Sequence, residues 1–245
     1  MPSTFFIETY GCQMNAYDSA KMRSMLKDCG LAEAGTAGEA ELVVLNSCAV
    51  RGHAEERVLG RAAELAGLKR RRPGTRLVLA GCVAQEHGRA LLDRFPHLDA
   101  VVGTESFDCL LEIVSGDGSE RVSRVGQCRP EPGREALPDF GGRPGAMVAV
   151  MRGCDNFCSY CIVPYVRGRE RSRDPRQVLS EIRELALQGV REVTLVGQNV
   201  NSYRWGDTGF PELLRMAASS DGIRRVRFIT SHPKDLGPGL MEAMA

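Results

Sequence analysis

Ala146-Met-Val-Ala-Val-Met-Arg-Gly-Cys-Asp-Asn-Phe-Cys-Ser-Tyr-Cys161 decides how the rest of the chain is read. Residues 146–150 form a short apolar run, which reads as a strand opening an α/β unit. A glycine-bearing loop follows at once, with three thiols in the spacing Cys154-x3-Cys158-x2-Cys161. Thiolates are the usual ligands of iron–sulfur clusters. Three of them can hold a four-iron cube and leave one iron without a protein ligand. Such an open position suits a cluster that binds a substrate or cofactor rather than one that only carries electrons. A zinc ribbon would need two separated Cys-x2-Cys pairs or histidines, and no His lies near these cysteines in the sequence. Disulfide pairing is the competing explanation, and it belongs to small secreted chains.

Outward from this loop, apolar periodicity alternates strands with helices. On the N-terminal side strands are expected at 4–10, 41–46, 76–80 and 100–102, and helices at 15–29, 53–72, 85–94 and 106–115. Regular alternation of this kind means a parallel, doubly wound sheet. Residues 117–145 are rich in Gly, Pro and Arg without apolar period and read as a linker. After the linker come strands at 146–150, 192–196 and 226–230, with helices at 175–188, 210–218 and from 236 onward. Three strand–helix repeats are too few for a closed barrel. The expected fold is therefore α/β, with a doubly wound domain at 1–116 and the first part of a (βα) partial barrel at 146–245. The chain stops inside an amphipathic helix with no cap, so an N-terminal portion of a longer protein is expected.

The chain has 245 residues, an apolar fraction of 43%, a net charge of +1 and nine cysteines. Near-neutral charge argues neither for nor against nucleic acid, and any basic surface must be local. The N-terminus lacks the basic region and apolar stretch of a signal peptide. No run approaches the roughly 18 apolar residues of a membrane span. A cytoplasmic, reduced protein with no membrane association is expected, its cysteines serving metal chemistry.

Cys12, Cys48 and Cys82 have no shared spacing, but each falls just past the carboxyl end of an expected strand, in Tyr10-Gly-Cys12, Asn46-Ser-Cys48 and Ala80-Gly-Cys82. Ligands of open parallel sheets gather at that edge, so the three should converge there. Gly11 and Gly81 would let the backbone approach a bulky cofactor. The alternative is three small buried side chains. Cys29, Cys109 and Cys128 have no partner at ligand spacing and read as small hydrophobes. Lys69-Arg-Arg-Arg72 reads as a solvated cationic helix end. Arg167, Arg169, Arg171 and Arg173 alternate after the cluster loop, where they could grip a carboxylate or phosphates; a solvated loop with Glu170 and Asp174 as neighbours is the other reading.

Six segments carry a resemblance that covers nearly the whole chain. They are Thr9-Tyr-Gly-Cys-Gln-Met-Asn15, Leu45-Asn-Ser-Cys-Ala-Val-Arg51, Gly81-Cys-Val-Ala-Gln85, the run from Arg152 to Arg173, Gly197-Gln-Asn-Val-Asn-Ser-Tyr203 and Thr230-Ser-His-Pro-Lys234. Together they resemble the radical S-adenosylmethionine (SAM) methylthiotransferases. Gly11-Cys-Gln-Met-Asn15 is most similar to the branch acting on N6-(dimethylallyl)adenosine at position 37 of tRNA. Other branches act on a ribosomal-protein aspartate or on threonylcarbamoyl-adenosine tRNA. The resemblance implies two 4Fe-4S clusters, one on Cys12, Cys48 and Cys82 and one on Cys154, Cys158 and Cys161. The latter would bind SAM and cleave it reductively to a radical; the former would hold the sulfur to be inserted, and both would face one cavity. It also implies a tRNA anticodon loop as partner, a flavodoxin or ferredoxin as electron donor, and a monomer. Tyr160 precedes Cys161, where the superfamily has an aromatic residue whose backbone lies along the adenine of SAM; simple loop packing is the alternative. Gln198 and Asn199 end an expected strand at its carboxyl side, where sites form, and are candidates for SAM or substrate contact. Ser231 and His232 occupy the next such position and stay outside the firm set. The rest of the barrel and a C-terminal RNA-binding β-domain of the family have no counterpart here. A non-enzymatic iron–sulfur module is the reading from another class; it fits poorly, because electron carriers use four protein ligands per cube.

Overall fold

A computed structural model describes residues 1–50, 52–116, 120–126 and 137–245. Cys128, expected to be a small hydrophobe, lies outside the described residues. The chain divides into two compact units, Met1–Pro138 and Asp139–Ala245.

The first unit runs β1 (Thr4–Thr9), α1 (Gln13–Asp28), β2 (Ala32–Glu33), β3 (Leu42–Ser47), α2 (Gly52–Arg71), β4 (Arg76–Gly81), α3 (Cys82–His87), α4 (Ala90–Arg94), β5 (Ala100–Val102), α5 (Cys109–Ser115) and β6 (Val122–Arg124). All paired strands are parallel, in the order β2-β1-β3-β4-β5-β6. β3 is buried along its whole length, as a central parallel strand covered on both faces must be. Its side chains alternate between two cores. Val43 and Leu45 join Val58, Ala62 and Leu65 of α2. Leu42 and Val44 join Met22 and Leu26 of α1 and Leu110 of α5. Helices therefore cover both faces, the doubly wound arrangement, and the strand order reverses between β1 and β3.

Several local expectations are corrected. The stretch expected to be a linker supplies β6, the sixth strand, which pairs with β5; Val122-Ser-Arg124 is too short and polar to show a period. The helix expected at 85–94 begins at Cys82 and breaks at Gly88, whose φ of 50° ends α3. Lys69 is not simply solvated: its ammonium sits 2.8 Å from both oxygens of Asp99, which also accepts the Leu77 N–H at 2.7 Å. Cys29 is exposed rather than buried. Cys109 is buried at the start of α5 and is disulfide-bonded, which its expected role as a plain hydrophobe did not include.

The second unit runs β7 (Gly145–Ala149), β8 (Met151–Arg152), α6 (Val163–Arg167), β9 (Arg171–Ser172), α7 (Pro175–Leu187), β10 (Glu192–Val196), β11 (Arg204–Trp205), β12 (Thr208–Gly209), α8 (Phe210–Ala218), β13 (Arg225–Phe228) and α9 (Pro238–Met244). β7, β10 and β13 form a parallel sheet in chain order, with no reversal. That is the progression of a (βα) barrel wall rather than of a doubly wound sheet. Val178 and Ile182 of α7 and Leu213 and Ala217 of α8 pack on Val148, Val193 and Leu195. Asp174 caps α7, its carboxylate accepting the Arg176 N–H at 2.8 Å. No helix among the described residues is long and apolar enough to cross a membrane.

Candidate metal centres

β1, β3 and β4 are adjacent and parallel, so their carboxyl ends lie side by side. Cys48 and Cys82 directly follow β3 and β4; Cys12 follows β1 by a two-residue turn. The Cys48 thiol hydrogen-bonds the side chains of both Cys12 and Cys82, and these contacts, followed by burial, push its pKa up. Three residues distant in sequence thus meet at the switch point of the sheet, where open α/β folds bind ligands. Cys48 and Cys82 are buried and Cys12 is partly open.

Buried amides brace this edge. Asn15 donates to the Ser47 carbonyl at 2.7 Å and to Asn46 Oδ1 at 3.3 Å, while its own Oδ1 accepts from the Cys12 thiol at 3.2 Å. Asn46 donates back to the Asn15 carbonyl at 2.8 Å and to Ser19 Oγ at 2.9 Å. Asn15, Asn46 and Ser47 are fully buried. Sequence alone assigns Asn15 and Asn46 no role; the available signal is an amide placed close to a strand-end cysteine. Both glycines are required by the protein's own packing. A Cβ on Gly11 would collide with Cys48 Cβ, and one on Gly81, at φ +94°, would collide with the Ser47 carbonyl oxygen.

In the second unit, β8 and β9 form a two-stranded ribbon that closes the base of the cysteine loop. The Cys154 N–H donates to the Gly168 carbonyl at 3.2 Å, and the Cys161 N–H to the Cys158 carbonyl at 2.9 Å. Asp155 staples the outer side, accepting from Glu170 N at 3.0 Å and pairing with Arg169 Nε at 2.8 Å. Bonds from the glutamate N–H and the guanidinium hold its carboxyl below the usual range. Cys154, Cys158 and Cys161 line one cavity of about 190 Å³ together with Tyr160, Gln198, Asn199, Ser231 and His232. Gln198 accepts the Gly153 N–H at 2.5 Å. Asn199 donates to Asp235 at 2.7 Å and accepts the His232 N–H at 3.0 Å. His232 Nε2 stands 3.9 Å from Cys158 Sγ. A histidine does therefore reach these cysteines, brought from the end of another strand. Burial pushes the Cys154 thiol and the Glu170 carboxyl up.

The four alternating arginines divide. Arg173 is half-buried; it pairs with the buried Glu181 at 2.8 Å and donates to the Ala149 carbonyl at 2.6 Å. Arg167 is buried. Only Arg169 and Arg171 stay on the surface, so the first and last are unsuited to gripping phosphates. Tyr160 is 88% exposed at the cavity rim rather than packed into the loop.

The donor sets suit iron–sulfur clusters. None of the six cysteines is disulfide-bonded. Among the described residues, Glu55, Glu86 and His87 form the one group whose ligand atoms all lie within 4.8 Å of one another. Each cysteine set instead offers three thiolates, the usual ligand type of iron–sulfur clusters.

Residues 4–103 match the Uncharacterized protein family UPF0004, and residues 148–245 the Radical SAM superfamily. The chain is 46% identical over 98% of its length to a tRNA-2-methylthio-N(6)-dimethylallyladenosine synthase of Geobacter sulfurreducens, covering 55% of that protein. It is 47% identical over 96% of its length to a protein of that name from Pelobacter propionicus, again covering 55%. The chain thus spans about half the length of the curated relatives it matches. A radical S-adenosylmethionine methyltransferase, TsrM, from Kitasatospora setae shares the fold, with a TM-score of 0.61 at 14% identity, over 99% of this chain and 57% of that one. The cobalamin-dependent S-adenosylmethionine radical enzyme OxsB follows at 0.59 and 11%, over 100% of this chain and 41% of that one. The chain thus carries the UPF0004 and Radical SAM matches in this order and is similar over nearly its whole length to these synthases.

Proposed function

We propose that this chain holds two 4Fe-4S clusters and SAM and takes part in 2-methylthiolation of N6-(dimethylallyl)adenosine at position 37 of tRNA. What supports the reading is a pair of three-cysteine sets, each at the carboxyl edge of its own parallel sheet. Cys12, Cys48 and Cys82 would hold the cluster that carries the sulfur, and Cys154, Cys158 and Cys161 the cluster that binds SAM. When bound, these groups supply a carbon-centred radical able to break an unactivated ring C–H bond, a task side chains alone do not perform.

The chain's own residues supply position and shelter. Gln198 holds the loop backbone at Gly153, and Asn199 fixes the His232 and Asp235 segment across the cavity. Val163 and Pro164 give the cavity an apolar side, which limits water near a reactive species. The division of the chain is proposed as a sulfur-carrying domain of residues 1–116 completed by β6 from the 117–145 segment, followed by the SAM domain at 146–245. A tRNA anticodon loop is the proposed partner, with a flavodoxin or ferredoxin as electron donor and a cytoplasmic monomer as the working form.

Iron and sulfide counting after anaerobic reconstitution tests the reading. Two cubes give about eight irons per chain and about four after Cys154, Cys158 and Cys161 are changed to Ala. About four irons falling to none would withdraw the cluster on Cys12, Cys48 and Cys82. Nucleoside analysis of tRNA from cells carrying the complete protein separates this substrate from a ribosomal-protein aspartate or threonylcarbamoyl-adenosine.

A further inference from the structure

Among the described residues, the exposed aromatic side chains are Phe157, Tyr160, Tyr165 and Trp205, all in the second unit. The described residues of the first unit leave no Phe, Tyr or Trp exposed. Such side chains bury large areas when they can, so the three carried by the cysteine loop and α6 call for a partner. Phe157 and Tyr165 stand edge to face with centroids 6.1 Å apart. The Arg169 guanidinium lies 5.4 Å from the Phe157 ring centroid, held there by Asp155. Phe157 adopts φ +44°, a conformation that costs a bulky residue energy, yet the ring gains little burial by it: it remains 46% exposed. The same ring lines the cavity of the cysteine loop, whereas Tyr165, on α6, is 74% exposed outside it. The hairpin bearing Arg204 and Trp205 is tied to β9 through the Arg204 N–H and Ser172 Oγ, at 2.9 Å.

Aromatic faces interleaved with arginines are the chemistry of single-stranded nucleic acid recognition: rings stack on bases and guanidinium groups meet backbone charge. A stacking face at the mouth of a cavity suits a splayed loop better than a duplex, whose bases are already stacked. From this we infer that Phe157, Tyr165 and Arg169 form a stacking platform for an unpaired RNA base next to the one entering the cavity. The inference rests on the RNA-modifying reading above and adds the residues that would select a loop over a helix.

The test uses the reconstituted chain and two short RNAs, a hairpin with 2-aminopurine in its loop and a continuous duplex of matching length. Wild type is expected to prefer the hairpin and to quench the 2-aminopurine. Tyr165→Ala and Phe157→Ala should each weaken hairpin binding about 5- to 100-fold, the usual effect of removing one aromatic–base stack, and lose the quench. Tyr165→Phe should keep both, and Tyr165→Ala should keep the wild-type iron count. Equal affinity of wild type for hairpin and duplex, or no binding of either, would overturn the platform. Wild-type affinity and quench in Tyr165→Ala would do the same, as would a fall in its iron count. Failure of the broader reading shows separately, in the wild-type iron count and the nucleoside products.

Discussion

Cys12, Cys48 and Cys82 come from the ends of three strands, whereas Cys154, Cys158 and Cys161 come from one loop. The first set exists as a set only after β1, β3 and β4 have paired, because nothing local holds those thiols together. The second set is close in sequence before folding, and folding only shapes it, through the β8–β9 ribbon and contacts from two further strand ends. One site therefore depends on the whole sheet, and the other on the closure of a loop. Their supports differ accordingly: buried amides in the first unit, and a staple of ion pairs around the loop in the second.

The largest effect that would sharpen this contrast is expected at Gly81. Gly81→Val puts a β-branched residue at φ +94° against the Ser47 backbone. Strain and overpacking together cost up to about 6 kcal/mol. Iron content should fall by the share held on Cys12, Cys48 and Cys82 while the other share stays; loss of all iron in a folded variant would break the independence of the two sites. Next comes Arg173→Met, which strands the buried Glu181 carboxylate. A cost of about 3–5 kcal/mol is expected in denaturant unfolding of the second unit, largely recovered when Glu181→Met is added. If the double variant is as unstable as the single one, the pair is not the support described.

Asn46→Ala removes the donor to the Asn15 carbonyl and Ser19 and should cost about 1–3 kcal/mol, read as a lower unfolding midpoint and weaker iron retention in the first unit only. Smallest is the alkaline response of Tyr203. Burial pushes its phenol from 10.0 to about 12, and its hydroxyl donates to the Arg173 carbonyl at 2.8 Å. The raised value favours the neutral phenol in the fold. That contribution is complete below about pH 10 and lost as the pH rises through about 12. Tyr203→Phe should therefore flatten the loss of stability over this window; an unchanged slope would assign the alkaline loss to other groups.

Strand and helix alternation was legible because apolar period survives in segments as long as α1, α2 and α7. β6 was not, since three residues with one apolar side chain carry no period and their place is decided by the free edge of β5. The cysteines past the strand ends could be marked, but the amides of Asn15 and Asn46 could not be told from turn residues until their partners were adjacent. Arg167 and Arg173 resembled their exposed neighbours in sequence because charge alone does not reveal burial.

What the sequence by itself determined is the local chemistry: three thiols on one glycine-bearing loop, cysteines at three strand ends, and the periodicities that make both units α/β. What only the tertiary structure decided is every relation between distant residues. It brought Cys48 into hydrogen-bonding contact with Cys12 and Cys82, His232 to Cys158, Glu181 to Arg173 and Phe157 to Tyr165. The physical reason is that backbone preference and apolar period act over a few residues, whereas these contacts depend on strand order and packing, which emerge only when the whole chain has buried its apolar faces.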